Sequence, residues 1–248
     1  MTSTDPPAGV ASELDDALPE ADWPTHEVAN SQDDPFLFEL IEYLAAIRDI
    51  EREVTAAIIN AIPEDAKPHG LDCRVKDWES LHRKAKAIVL KYPYDFERID
   101  NDRDLVRTVL TRIEDILRYS VLSAPHAAMP QVASAFIRKA RDLKMRVTEI
   151  QNSYHSANRY KGLHAILSLA EKFQMRLSCE VQFHSSESIA ASKETHTDYE
   201  KFRTSKDTRI RQSLHDRIAA RYAELDDVVI HGQGFPIEVT KRSYPRPK

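Results

Sequence analysis

Residues 175–184 read MRLSCEVQFH, and the way they alternate decides the fold. Met175, Leu177, Cys179, Val181 and Phe183 fall on one side of an extended chain, and Arg176, Ser178, Glu180, Gln182 and His184 fall on the other. That period of two marks a strand with one face in a core and one face free of it. Such a strand needs neighbours. The runs DILRYSVL at 115–122 and MRVTEIQ at 145–151 are β-branched and aromatic enough to supply them. A further strand is expected within 160–170, and a short one over 71–76 after Gly70.

Around these runs the apolar period becomes that of a helix. Leu40, Leu44, Ile47, Ile50, Val54 and Ile58 follow Pro35 at intervals of three and four, and Pro63 ends the pattern. Asp77 is placed to cap a helix reaching about residue 90, 101–113 reads as another, and 129–144 is amphipathic with Pro130 in its first turn. Two more helices, 187–204 and 208–226, close the set. Strands and helices mix without βαβ regularity, so the expected fold class is α+β, a mixed sheet of about five strands flanked by helices.

The chain divides into an acidic, proline-bearing arm over 1–34 that reads as disordered or loosely docked, a helical segment over 35–69, a sheet-bearing domain over 70–229 and a tail over 230–248. Trp23 is the one candidate anchor of the arm. With 248 residues, 42% hydrophobic, the chain can bury a substantial core, and its net charge of −5 is not the basic balance of a general nucleic-acid binder. A local basic cleft for a phosphorylated small molecule is compatible with that charge. No run reaches the roughly 18 apolar residues of a membrane helix, and the acidic beginning lacks the basic start and apolar stretch of a secretory signal. No membrane partner is therefore expected, and the expected location is cytoplasmic, in the producing cell or, for a delivered protein, in a target cell's cytoplasm. Cys73 and Cys179 both fall in expected strands, which predicts two small buried side chains and no disulfide framework.

Four groups of residues could carry chemistry, and each has an ordinary structural alternative. Glu180, Gln182 and His184 share the polar face of one strand, which alone is a solvated sheet surface. Asp115 opens another strand, where a carboxylate adds nothing to packing. Two carboxylates from two strands would make a hard-oxygen site of the kind Mg²⁺ takes, completed by substrate phosphates. In RVKDWESLHRK at 74–84, Arg74 and Lys76 share a face of the expected strand, and Lys76, Ser80 and Lys84 are spaced by four into a helix N-terminus, a natural anion site. Its plain alternative is a solvated helix start, and the glycines of a Walker loop are missing. In RYKGLH at 159–164, a tyrosine beside basic residues could stack a base or simply complete a turn. Finally, Lys193, His196, Tyr199, Glu200 and Arg203 lie along one helix, which is either an exposed stripe or one wall of a site. Zinc held by His184 and His196 is disfavoured, since no second pair at ligand spacing accompanies them.

The order of these motifs resembles the synthetase domain of the RelA/SpoT family over about residues 70–205, in a divergent form like its toxin-associated and phage-associated branch. Arg74, Lys76, Ser80 and Lys84 match that family's R-x-K-x-x-x-S motif with its trailing lysine, which binds ATP. Asp115, with Arg118 three residues on, resembles the strand whose aspartate holds Mg²⁺. YKGLH at 160–164 resembles Y-R-S-L-H, whose tyrosine stacks on the acceptor base, and EVQFH at 180–184 resembles E-I-Q-I-R, whose glutamate is the second magnesium carboxylate and activates the attacking hydroxyl. The resemblance thus implies a nucleotidyltransferase-like fold and a Mg²⁺-dependent transfer of pyrophosphate from ATP to the 3′-hydroxyl of a purine nucleotide. In it, Asp115 and Glu180 are the metal and catalytic residues, Arg74, Lys76, Ser80, Lys84 and Arg118 bind ATP, and Tyr160, Lys161, His164 and Gln182 meet the acceptor. His184, His196 and Arg203 are the next rank.

This chain departs from the pattern at several points. Arg159 stands where glycine is common before the tyrosine, Ser120 where an arginine is common after the aspartate, and Lys161 and Gly162 where arginine and serine are usual. These departures bear on the acceptor more than on ATP. No His-Asp pair of a partner hydrolase stands upstream, which implies synthesis without built-in breakdown. Three readings stay open: alarmone synthesis on a guanine or adenine nucleotide, a toxin that modifies the 3′ end of tRNA and is held by an antitoxin or immunity protein, and a silent nucleotide-binding or interaction module.

Overall fold

The computed structural model describes residues 19, 35–93, 99–123, 125–154, 158–170, 176–228 and 239–241. Trp23 and Met175, and most of the arm and the tail, lie outside these residues. Among the described residues, six α-helices and six strands follow one another as α1 (Pro35–Ala61), β1 (Ala66–His69), α2 (Trp78–Lys91), α3 (Asp102–Leu110), β2 (Leu117–Ser123), α4 (Met129–Asp142), β3 (Arg146–Asn152), β4 (Leu163–Ser168), β5 (Ser178–Ser185), α5 (Ser186–Thr204), α6 (Thr208–Ala223) and β6 (Val239–Lys241). The strands form one mixed sheet in the order β1-β2-β5-β4-β3-β6. The fold is α+β as expected, and the sheet gains a sixth strand from three residues of the tail.

β5 behaves as its alternation dictates: Cys179, Val181, Phe183 and Ser185 are buried, and Ser178, Glu180, Gln182 and His184 are partly open. Parallel pairing with β2 sets Arg118 opposite Glu180, Ser120 opposite Gln182 and Leu122 opposite His184. Antiparallel pairing with β4 sets His164 opposite Gln182 and Ile166 opposite Glu180. Partners across a sheet share a face, so one face collects Arg118, His164, Glu180, Gln182 and His184. The other face carries Leu117, Tyr119, Val121, Cys179, Val181 and Phe183, all buried.

That apolar face is the core. Phe136 of α4 meets Phe183 edge-on with ring centroids 5.6 Å apart, and Leu40, Leu44, Ile47, Val54 and Ile58 of α1 join the same cluster. The helical segment over 35–69 thus packs into the body of the domain, and its last residues form β1.

The expectation of a strand over 71–76 is corrected. β1 lies earlier, at Ala66–His69, paired antiparallel with β2. Gly70 then turns the chain with φ +61°, a left-handed conformation that glycine adopts without a Cβ clash, and Leu71–Cys73 forms a 3₁₀ turn. Edge pairing resumes only locally: Arg118 N donates to the Arg74 carbonyl (2.8 Å) and Lys76 N to the Ile116 carbonyl (2.9 Å). Cys73, expected to be buried, is exposed in that turn, and Cys179 is buried as expected.

Candidate active site

Resumed pairing at 74–76 brings Lys76 beside the start of the β2 segment, where Asp115 stands. The Asp77 side chain accepts from Ser80 N (2.7 Å) and starts α2 at Trp78, so Lys84 comes round toward the same carboxylate. Lys76 Nζ lies 2.7 Å from Asp115 Oδ2, and Lys84 Nζ lies 2.6 Å from Oδ1. Burial opposes ionisation of Asp115, but the charges and hydrogen bonds of Lys84 and Lys76 outweigh it and hold the carboxyl below its ordinary range. The spacing put Lys76 and Lys84 on one side of a helix start, and what they clasp there is the Asp115 carboxylate.

Ser80 takes a different part from the one expected. Its backbone N–H is occupied by Asp77, and its Oγ accepts from Arg83 (2.9 Å). The N-terminus of α2 is already served by an anionic side chain.

Glu180 stands on β5 with side-chain exposure of 13%. His164 Nδ1 donates to its Oε1 (2.8 Å) and Gln182 Nε2 to its Oε2 (2.9 Å). The next link runs on along the strand, where Gln182 Oε1 meets His184 Nε2 at 3.2 Å and His184 Nδ1 faces Ser188 Oγ at 3.4 Å. Burial pushes the Glu180 carboxyl up, yet His164 and Gln182 together hold it down; the charge of Asp115 pushes it back up, so the two carboxylates sense one another. His184 is pushed down to about 3 by burial, reinforced by His164, His69 and Arg118, and it is neutral at any physiological pH.

His69 belongs to this face because it pairs with Ser120, and sequence reasoning missed it. The signal was slight: Pro68 has no N–H for a ladder, and a proline is tolerated in a sheet only at an edge such as β1.

Two expectations need correction. Arg74 does not line the cleft. Its guanidinium is buried in a forked ion pair with Glu51 of α1, and its Nη1 donates to the carbonyls of Leu71 (2.7 Å) and Pro19 (2.8 Å). Thr55 and Tyr119 extend that buried network. Lys161 also turns away, donating to the Leu225 carbonyl (2.6 Å) and the Asp227 carboxylate (2.8 Å) beyond α6. Of the two readings of the α5 stripe, burial agrees with the exposed one: α5 buries Ser188, Ala191, Thr195 and Phe202, and His196, Tyr199 and Arg203 lie on its exposed side. Arg203 there pairs with Glu200.

The remaining expected residues do converge. Arg118 is exposed on β2 opposite Glu180. Tyr160 Oη lies 2.9 Å from His164 Nε2, and its ring meets Tyr222 of α6 edge-on with centroids 5.6 Å apart. Among the described residues, no group of three or more His, Cys, Asp or Glu side chains is arranged to hold a metal.

No family model and no curated protein matches the chain. Among solved structures it is similar to a GTP pyrophosphokinase family protein from Streptococcus pneumoniae, with TM-score 0.43 and 17% identity over 81% of this chain and 91% of that one. It is also similar to small alarmone synthetase 2 from Bacillus subtilis, with TM-score 0.42 and 17% identity over 77% of this chain and 91% of that one. For small alarmone synthetase 1 from the same organism the values are 0.42 and 14%, over 78% and 93%.

Proposed function

We propose that this chain is a magnesium-dependent nucleotide pyrophosphokinase that moves the β,γ-pyrophosphate of ATP onto the 3′-hydroxyl of a purine nucleotide. The observation that carries the proposal is the clasp of Lys76 and Lys84 on Asp115, two residues before β2, the parallel neighbour of the strand that bears Glu180, whose carboxyl senses the Asp115 charge. The motif resemblance over 74–84, 115–118, 160–164 and 180–184 points the same way.

The donor set fits Mg²⁺. Two ionised carboxylates offer hard oxygens, each with a lone pair beyond the one its lysine, histidine or glutamine partner uses, and Mg²⁺ takes one or two carboxylates with substrate phosphates and water. Asp115 and Glu180 would hold the ion, which when bound would draw charge from the phosphate oxygens. Lys76 and Lys84, freed from part of their pairing with Asp115, would turn to the phosphates, with Arg118 reaching in from β2. Arg74 has a structural role, tying α1 to the turn that presents Lys76.

The reaction balances without a covalent enzyme intermediate. The acceptor 3′-oxygen bonds to the β-phosphorus, the bond from that phosphorus to the α–β bridging oxygen breaks, and AMP leaves with that oxygen. The hydroxyl proton passes to Glu180, an acceptor-only group in the cleft. Such transfer depends on positioning and charge neutralisation more than on nucleophilic side chains. His164, Gln182 and Tyr160 would meet the acceptor, while Lys161 is engaged with Leu225 and Asp227.

The test is incubation of purified protein with ATP, Mg²⁺ and GDP, GTP, ADP or tRNA in separate reactions. AMP release with a purine nucleotide supports the reading, and release with tRNA alone transfers it to the tRNA 3′ end and a toxin role. No AMP with any acceptor, while ATP still binds, would make the chain a silent nucleotide-binding module.

A further inference from the structure

Tyr160, Gly162 and His164 alternate along one extended run, so the first and last can meet across the middle one. They do. Tyr160 Oη lies 2.9 Å from His164 Nε2, and the two rings stand edge to face with centroids 5.8 Å apart. The contact exists because residue 162 has no side chain. A Cβ at Gly162 would fall 2.6 Å from His164 Nε2 and 2.8 Å from both Cε1 and Oη of Tyr160, closer than real Cβ atoms approach anything.

Hydrogen-bond chemistry sets the direction of the chain. An ionised carboxylate only accepts, so the Nδ1 of His164, 2.8 Å from Glu180 Oε1, must carry the proton. In the neutral ring Nε2 then offers a lone pair, and the Tyr160 hydroxyl donates to it. The links run Tyr160 O–H to His164 Nε2, then His164 Nδ1–H to Glu180, and each polarises the next. Tyr222 holds the Tyr160 ring from the other side.

We propose that the Tyr160 hydroxyl is a positioning group for Glu180, acting through His164, and that Gly162 is the residue that makes room for it. This deepens the pyrophosphokinase reading and rests on Glu180 being a reacting group there. It also separates two uses of one tyrosine. Stacking on an acceptor base needs only the ring face, whereas positioning needs the hydroxyl.

Substitution distinguishes them. Tyr160→Phe keeps the ring and removes the hydroxyl; it lowers kcat for AMP release about tenfold, the scale of one hydrogen bond, with KM for the acceptor within about twofold. Gly162→Ala gives a kcat loss of the same kind. His164→Asn retains an N–H near the Nδ1 position but is too short to place an acceptor where Nε2 meets Tyr160, so adding Tyr160→Phe to it causes no further loss. A Tyr160→Phe enzyme with unchanged kcat, or losses that multiply in the double variant, overturns the proposal. A second readout needs no turnover: the His164 Nδ1–H proton resonance, shifted downfield by its carboxylate partner, moves in Tyr160→Phe protein. If wild type makes no AMP with any acceptor, the pyrophosphokinase reading fails, and this resonance still judges the hydrogen-bond chain. An absent or unmoved resonance refutes it.

Discussion

At the scale of single residues, Asp115 shows how a carboxylate can be both stabilising and available. Its ion pairs with Lys76 and Lys84 keep it ionised despite burial. Because its folded pKa is depressed, the stability it contributes is fully present above the ordinary carboxylate range of about 3.9 and is lost as pH falls through the lowered folded value. Asp115→Asn should therefore lower stability at pH 7 by roughly 1–2 kcal/mol, and the difference from wild type should shrink in acid. Urea unfolding at pH 7 and pH 3 checks both halves, and an equal deficit at the two pH values would count against them. The same substitution should reduce AMP release by at least about a hundredfold if Asp115 is, as proposed, one of two carboxylates that hold Mg²⁺.

Elements show where sequence reading succeeds and where it stops. β5 was legible because a strand with one buried face must alternate, and nothing else in 175–184 competes with that period. The N-cap of α2 at Asp77 and the spacing of Lys76 and Lys84 were legible for similar local reasons. The 71–76 segment was not, because left-handed Gly70 leads residues 71–73 into a 3₁₀ turn, leaving only Val75 in a bridge to Leu117. Arg74 and Lys161 failed for a different reason. Their residue types suited phosphate, but Glu51 lies 23 residues upstream of Arg74 and Asp227 lies 66 residues beyond Lys161, and no local pattern announces such partners.

Both corrections are testable at this scale. Breaking the buried pair with Glu51→Gln should destabilise the protein by about 3–5 kcal/mol in urea titrations, whereas replacing Arg74 and Glu51 together with Met and Leu should recover much of that loss. Lys161→Met should lower stability while leaving the acceptor KM unchanged. A raised KM at full stability would return Lys161 to the acceptor site.

Across the whole molecule, one sheet serves two environments. Its apolar face, with Tyr119, Val121, Val181 and Phe183, is sealed by α1 and α4, and its polar face gathers His69, Arg118, His164, Glu180, Gln182 and His184. No helix among the described residues is long and apolar enough to cross a membrane. The two thiols report on this layering. Cys179, whose thiol burial pushes up to about 12, should resist a thiol reagent until the protein unfolds, while exposed Cys73 reacts in the native state, slowed because partial desolvation and then neighbouring Asp72 raise its thiol. One thiol titrated natively and two in urea is the expected count.

The proposed chemistry stands on the polar face moving pyrophosphate intact. The decisive measurement uses ATP labelled at the γ-phosphorus, incubated with Mg²⁺ and a responsive purine nucleotide. Label and AMP should appear in equal amounts, the label on the nucleotide's 3′-position, and Glu180→Ala should abolish both while the fold is kept. Label released as free phosphate with ADP, or transfer undiminished in Glu180→Ala, would rule out intact transfer through Glu180.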